Sequence, residues 1–355
     1  MASRWRTFEL ALLLSATATV ACAAGASAAT IAVKDGTAVF RAAHGEANDL
    51  SISIRAPSLP CAGVGVGVVS TCVSDAGVPL TVGVGCEQLG PNLAACPEDI
   101  QDPRRGRPVL VFGRDGDDGL FEESEIRDVT LRGGSGDDAL QSGSGLGKSP
   151  ALYGGQGDDA LYVFNNGAGT PIMRGGPGDD ELCSCENGGG LLDGNAGDDR
   201  LFMASNGTSA LSLSLDGGRG SDTYVARGSV LVGLAGVAPG PGADVLDASG
   251  LSRGSSIDLR SCHGCVEWVT GSPGDDEITG YAGRQVLLGG EGLDVIRGLR
   301  GPDLLAGQDG DDTIYSRDDS VDAVGCGAGV DTVLADASDA VSSNCETVMR
   351  RRGHA

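Results

Sequence analysis

Past its first thirty residues the chain has no apolar run approaching the ~20 residues a bilayer-spanning helix needs. Aromatic residues make up only 4%, which argues against a large conventional core. Lysine occurs twice, at Lys34 and Lys148, and Lys plus Arg total 25 against 49 acidic residues. The resulting net charge of −24 speaks against nucleic acid and anionic membrane as partners, since both carry the same sign. No HExxH metalloprotease motif occurs, and no CxxC besides Cys262–Cys265. Glycine reaches 60 of 355 residues, yet no Gly-X-Y period accompanies it, so collagen is excluded.

What is present begins with a leader. MASRWRTFELALLLSATATVACAAGASAAT has Arg4 and Arg6, an apolar run from Leu10, and Ala26-Ser27-Ala28 before Ala29. That layout predicts a secretory signal peptide over 1–28 and an extracellular protein, soluble or held at the cell surface. Ten cysteines remain after it: Cys61, Cys72, Cys86, Cys96, Cys183, Cys185, Cys262, Cys265, Cys326 and Cys345. An even number in a secreted chain predicts disulfides, and sequence neighbours fall into five close pairs. A zinc site at Cys262–Cys265 would need two more ligands, which the few histidines do not supply. The pair Cys183–Cys185 is tight enough to leave open a partner elsewhere or free thiols.

Residues 29–105 hold runs rich in Val, Ile and Thr, such as TIAVKDGTAVF and VPLTVGVGC. Asp35-Gly36 between two runs predicts a hairpin. The segment is expected to be a small, strand-rich, disulfide-stapled cap over one end of the region downstream of it.

From Gly113 a nonapeptide returns twelve times, with Gly at positions 1 and 4, Asp at 6 and an apolar residue at 8. GGQGDDALY from Gly154 and GQDGDDTIY from Gly307 are typical copies. Successive starts are 20, 21, 21, 19, 23, 22, 32, 18, 9, 9 and 19 residues apart. A nonapeptide makes one turn and one short strand, and two of them close one coil of a solenoid. A spacing near 18 therefore returns each motif to the same edge. This predicts an all-β, right-handed parallel β-roll or β-helix over 106–334, with 335–355 as a C-terminal cap. Eleven copies are expected on one edge and the copy at Gly298 alone on the other. Apolar residues two positions before most motifs (Leu131, Leu152, Met173, Leu192, Leu215) and at position 8 (Leu120, Leu140, Leu161, Leu182, Leu201) would form two ribs meeting in a thin core.

Glycine permits a turn with positive φ whose carbonyl oxygens point inward. Asp at position 6 adds a carboxylate. Calcium takes six to eight such oxygens, so two stacked turns would complete one site. The candidate metal ligands are Asp118, Asp138, Asp159, Asp180, Asp199, Asp222, Asp244, Asp276, Asp294, Asp303, Asp312 and Asp331. Position 5 is Asp in seven copies, for example Asp137 and Asp158, and is expected to hold the turn more than to ligate. Asx-turn chemistry accounts for one Asp per turn but not for a fixed Gly-x-Asp phase through twelve copies. On the order of ten Ca2+ ions would nearly cancel the acidic excess.

These copies resemble the RTX, or hemolysin-type, calcium-binding repeat GGxGxDxUx over about Gly113 to Val333. The front ATIAVKDGTAVFRAAHGEANDLSI and the tail CGAGVDTVLADASDAVSSNCETV are similar to secreted bacterial members without a separate catalytic domain. The resemblance implies a parallel β-roll with calcium between stacked turns. It also implies carboxylate ligands from position 6 and backbone-carbonyl ligands from positions 1 to 4, here Gly133, Gly154, Gly175, Gly194, Gly217, Gly289 and Gly307. Pro239 and Cys326 replace the first glycine, and Pro241, Pro273 and Pro302 stiffen turns.

Such repeats accompany hydrolases, and Gly250-Leu251-Ser252-Arg253-Gly254 fits the GxSxG nucleophile elbow. An elbow needs a strand before it, a helix after it and a His partner; here no helical pattern comes next, and a solvent-facing loop is the better account. The expected function is therefore a non-enzymatic, secreted calcium-binding scaffold or adhesin whose folding depends on calcium. Its partners beyond calcium are undefined, a cell-wall or glycan ligand being one option. The alternative is a calcium-dependent polysaccharide-active enzyme on a parallel β-helix.

Overall fold

A computed structural model describes residues 29–351 apart from 36, 46, 56–69, 76–78, 92, 98–107, 123–128, 144–148, 165–168, 186–188, 206–212, 229–236 and 261–265. The expected signal peptide lies outside these residues, as do Cys61, Cys262, His263, Cys265 and the side chain of Cys72. Every regular element among the described residues is a β-strand. They form sheets of ten, sixteen and six strands.

The chain winds as a parallel β-solenoid. Strands seven residues long or shorter alternate between sheets, and each pairs in parallel with the strand one coil away. Val109–Asp115, Val129–Ser135 and Ala151–Gln156 stack in the ten-stranded sheet, while Gly119–Glu122, Ala139–Ser142 and Ala160–Phe164 stack in the sixteen-stranded sheet. Towards the C-terminus the chain alternates instead between the sixteen-stranded and six-stranded sheets, as in Val286–Glu291 and Val295–Arg297.

Register aligns identical motif positions. Leu120, Leu140, Leu161, Leu182, Leu201, Tyr224 and Leu246 form one in-register column. Leu131, Leu152, Met173, Leu192 and Leu215 form the facing one. All are essentially inaccessible to solvent. The two expected ribs therefore meet as a core one side chain thick on each face. Period-2 alternation places every other residue inward. No coil could bury its rib alone, so the stack is the smallest stable unit.

The N-terminal segment opens with the expected hairpin: Ala29–Lys34 pairs antiparallel with Thr37–Arg41, and Lys34 faces Thr37 across the Asp35 turn. Thr37–Arg41 and Asp49–Arg55 then join the two large sheets in parallel, against Val109–Asp115 and Gly119–Glu122. Sheet pairing thus runs unbroken past residue 105. It also runs past residue 334, where Thr347–Arg350 pairs with Thr332–Ala335.

Among the described residues three disulfides are formed, Cys86–Cys96, Cys183–Cys185 and Cys326–Cys345, each between sequence neighbours. The alternative of a different partner or open thiols for Cys183 and Cys185 does not hold. Residues i and i+2 of the strand Glu181–Cys185 project to the same side, which lets them bond.

Candidate calcium-binding turns

The nonapeptide turns bridge the sheets on two edges of the solenoid. On the first edge they lead into the sixteen-stranded sheet, and on the second they lead out of it. The copies starting at 113, 133, 154, 175, 194, 217 and 239 lie on the first edge. Those at 271, 289, 307 and 326 lie on the second. This arrangement corrects the expectation of eleven copies on one edge. Between Pro239 and Gly271 the chain makes three half-coils rather than two, and an odd number moves the motif across the roll. The intermediate strands are Ser256–Asp258 and Trp268–Thr270, and neither is preceded in sequence by the full motif.

This shift changes the standing of Asp303. Spacing places it across the roll without a neighbour; in the structure it belongs to the first-edge ladder. Along that ladder the backbone N–H of each position-6 residue donates to the Oδ1 of the next. Asn48 donates to Asp118, Asp118 to Asp138, Asp138 to Asp159, Asp159 to Asp180 and Asp180 to Asp199, at 2.7–2.8 Å. Asp199 donates to Asp222 and Asp222 to Asp244. Asp244 then donates to Glu267 Oε2. Gln285 donates to Asp303, Asp303 to Asp322 and Asp322 to Asp339. The second edge carries a parallel chain from Ser255 through Asp276, Asp294, Asp312 and Asp331 to Glu346.

Sequence reasoning missed Asn48, Glu267, Asp322 and Asp339, whose turns lack the glycines of positions 1 and 4, and Gln285, whose turn GYAGRQVLL keeps Gly280 and Gly283 but has no Asp at position 6. The signal that finds them is shorter: a polar residue two positions before a core apolar one, as in Glu267-Trp268-Val269 and Asp322-Ala323-Val324. The core rib sets the phase, and the polar residue is fixed by it.

One oxygen of each carboxylate is used by the ladder. The other is not. The Oδ2 atoms of Asp118, Asp138, Asp159, Asp180, Asp199, Asp222, Asp244, Asp294, Asp303, Asp312 and Asp331 are buried without a hydrogen-bond partner. Native structures leave few such atoms unpaired, because each costs the desolvation of a polar group. Backbone oxygens converge on the same places. A β-carbon on Gly113 would collide with both Asp118 Oδ2 and the Gly133 carbonyl oxygen. The same pairing recurs at Gly194 with Asp199 and Gly217, at Gly271 with Asp276 and Gly289, and at Gly289 with Asp294 and Gly307. Gly154 and Gly175 hold the carboxylates of Asp159 and Asp180 in the space a β-carbon would fill. Where position 1 is glycine, these oxygens occupy the volume its side chain would fill.

Position 2 has positive φ in every copy but that of Ser272: +131° at Gly134, but also +89° at Arg114 and +77° at Asn195. Turn shape, not residue type, sets that backbone. Position 5 behaves differently from position 6. Its exposed carboxylates accept the position-5 N–H of the next coil, as Asp137 does from Asp158 and Asp158 from Asp179. These side chains pin the turns, in line with the role expected for them.

The donor set fits a hard cation. It offers carboxylate and carbonyl oxygens, with a buried, unpaired carboxylate oxygen in eleven of the twelve copies, Asp276 Oδ2 being satisfied by Ser272. The family model of the RTX calcium-binding nonapeptide repeat matches residues 127–146, 266–295 and 288–320, with four copies. The turns in these segments match the RTX calcium-binding nonapeptide repeat, and the turns outside them have the same ladder geometry. No curated protein matches the chain. The third RTX segment runs from the second edge through Asp303 on the first and back, so both edges carry the repeat.

Burial in the RTX turns perturbs the carboxyls strongly. Desolvation, opposed by the ladder hydrogen bond and helped by neighbouring carboxylates, raises Asp138, Asp180, Asp244 and Asp294 from 3.8 to about 7. Asp199 and Asp303 are pushed to about 8 by the same cause, and Asp159 and Asp312 to about 6. Asp118 also rises to about 6 through desolvation, against hydrogen bonds from Asn48. A cation in the turn reverses this preference by favouring the charged form.

The GxSxG stretch is itself one of these turns. Ser252 comes directly after the strand Val245–Leu251, and the next element is the strand Ser256–Asp258, not the helix an elbow requires. Ser255 takes the position-6 place and donates N–H and Oγ–H to Asp276 Oδ1. No helix among the described residues is long and apolar enough to cross a membrane.

Proposed function

We propose that this calcium-binding β-roll is a secreted scaffold whose folded state depends on calcium. One observation carries the dependence: a buried position-6 carboxylate oxygen with no hydrogen-bond partner recurs along both ladders, in every copy but that of Asp276, whose Oδ2 accepts from Ser272. Position-6 Asp side chains and position-1 carbonyls supply the ligands, and the number of turns supports on the order of ten ions. Calcium supplies the positive charge that the stacked carboxylates lack. In the unfolded chain the turns do not exist, so binding free energy becomes folding free energy. Affinities of ~10⁻⁴–10⁻³ M suffice at extracellular calcium levels.

The leader sequence and the disulfides support an extracellular location. The antiparallel hairpin over 29–41 and the antiparallel strands Glu87–Gly90 and Leu93–Pro97, stapled by Cys86–Cys96, continue the two large sheets beyond the first parallel strands, consistent with a capping role over 29–105. Far-ultraviolet circular dichroism with and without calcium, paired with ion stoichiometry, tests the reading. Calcium should increase strand content and bind in multiple equivalents. Identical spectra in both conditions would remove the folding role, and absence of bound calcium would remove the reading altogether.

A further inference from the structure

The first-edge ladder changes its chemistry near its C-terminal end. The turn Arg317-Asp318-Asp319-Ser320-Val321-Asp322 has side chains at positions 1 and 4, where the repeat has glycine, and a carboxylate at position 2. One carboxylate oxygen from each of Asp303, Asp318 and Asp322 lies within 4.8 Å of the other two. Asp303 and Asp322 are only 3% and 1% exposed. Each of the three commits Oδ1 to a backbone N–H, from Gln285, Ser320 and Asp303 respectively. Each Oδ2 is buried and has no hydrogen-bond partner.

No ion pair among the described residues reaches these carboxylates. Arg317 donates instead to the carbonyls of Ala335 and Met349, and Arg351 reaches Asp319. The next coil provides a contrast. Asp336 Oδ2 accepts the N–H groups of Asp318 and Asp319, and Asp339 Oδ2 accepts from the Ser316 hydroxyl and the Asp336 N–H. Carboxylates of the neighbouring turn are thus satisfied by protein donors, while three beside them are not.

Oxygens that share one calcium at the calcium–oxygen distance of ~2.4 Å lie no more than ~4.8 Å apart, and these three meet that bound. Three carboxylates confined to that sphere repel strongly at low dielectric unless a cation lies among them. We propose that Asp303, Asp318 and Asp322 form a three-carboxylate calcium site, in which Asp318 adds a carboxylate to the position-6 pair of the ladder, and that it binds more tightly than the other turns. It differs from a repeat turn in drawing a side-chain ligand from position 2. Affinity in oxygen-donor sites rises with the number of charged ligands. The choice of ion rests on the calcium reading of the repeats; the site itself rests on its own geometry.

Equilibrium dialysis with calcium on the folded chain tests this, comparing wild type, Asp318→Asn and Asp319→Asn. Asp319 carries the same charge one residue away, but its side chain is 86% exposed and outside the cluster. Wild type and D319N should show one ion bound at least about ten-fold more tightly than the rest. D318N should lose that ion and keep the others. A D318N protein that retains the tight ion, or a wild type with a single affinity class, overturns the proposal while leaving the repeat sites intact. A wild type that binds no calcium overturns both readings. Should D318N fold poorly, anomalous scattering from calcium in wild-type crystals decides: ions in the repeat turns with none among the three carboxylates refutes the site.

Discussion

Protons and calcium should substitute for one another in this fold. The perturbation is removal of calcium at two pH values. A carboxyl whose folded value lies above its unfolded value holds its proton more tightly in the fold. Its contribution favours folding at low pH and is lost as pH rises from about 3.8 through the folded value. For the groups raised to about 7, Asp138, Asp180, Asp244 and Asp294, moving from pH 5 to pH 7.5 costs about 2–3 kcal/mol each. The four groups shift in the same sense, so their contributions act together. Calcium works in the opposite sense. At roughly ten to one hundred times its dissociation constant it returns about 1.4–2.7 kcal/mol per site.

The assay is thermal unfolding monitored by circular dichroism, on protein stripped of calcium by a chelating resin, because EGTA binds calcium poorly in acid. Calcium-free protein should melt at a higher temperature at about pH 5 than at about pH 7.5. Added calcium should raise the melting temperature strongly at the higher pH and little at the lower one. A calcium-free melting temperature that stays level or rises between these pH values would refute the ladder argument.

Replacing Asp159 by Asn should remove at least one bound ion and lower stability in saturating calcium, yet raise stability in its absence at pH 7.5, since a buried charge disappears; paired calcium titrations and melts check both signs. Asp158→Asn keeps an acceptor for the Asp179 N–H and should change stability by less than about 0.5 kcal/mol, with unaltered ion stoichiometry. Gly154→Ala forces a β-carbon into the Asp159 carboxylate and should cost on the order of 3 kcal/mol in denaturant melts with calcium present. The double variant Cys326→Ser/Cys345→Ser opens a loop of sequence separation 19 and should lose about 3 kcal/mol in the same assay.

Periodicity carried most of the fold. The apolar residue at position 8 recurs with so little variation that Leu161, Leu201 and Ile314 could be placed in the core from spacing alone, and all are buried. The Gly-x-Asp phase likewise identified the carboxylates whose second oxygens are left unpaired. The hairpin at Asp35 came from turn chemistry, and the pairing of Cys86 with Cys96 from proximity. Asp303 shows where that reasoning stops. Its role depends on which edge it occupies, and edge depends on whether the half-coils between Pro239 and Gly271 number two or three. Interval length does not distinguish these, because insertions and whole half-coils are of similar size.

By itself the sequence determined a local unit: a turn that admits only glycine where oxygens crowd, a carboxylate at its sixth position and one apolar side chain to bury. Those are properties of nine residues, enforced by sterics and by the hydrophobic effect. The stack decided everything that needs two units at once. It set the parity that divides the turns between two edges, and it drew Asn48, Glu267, Gln285, Asp322 and Asp339 into the first ladder. It also brought Asp318 beside Asp303, fifteen residues away along the chain. The physical reason is that a parallel coil pairs each residue with its counterpart one full winding away. A ligand shell shared between windings is therefore a property of the winding and not of the motif.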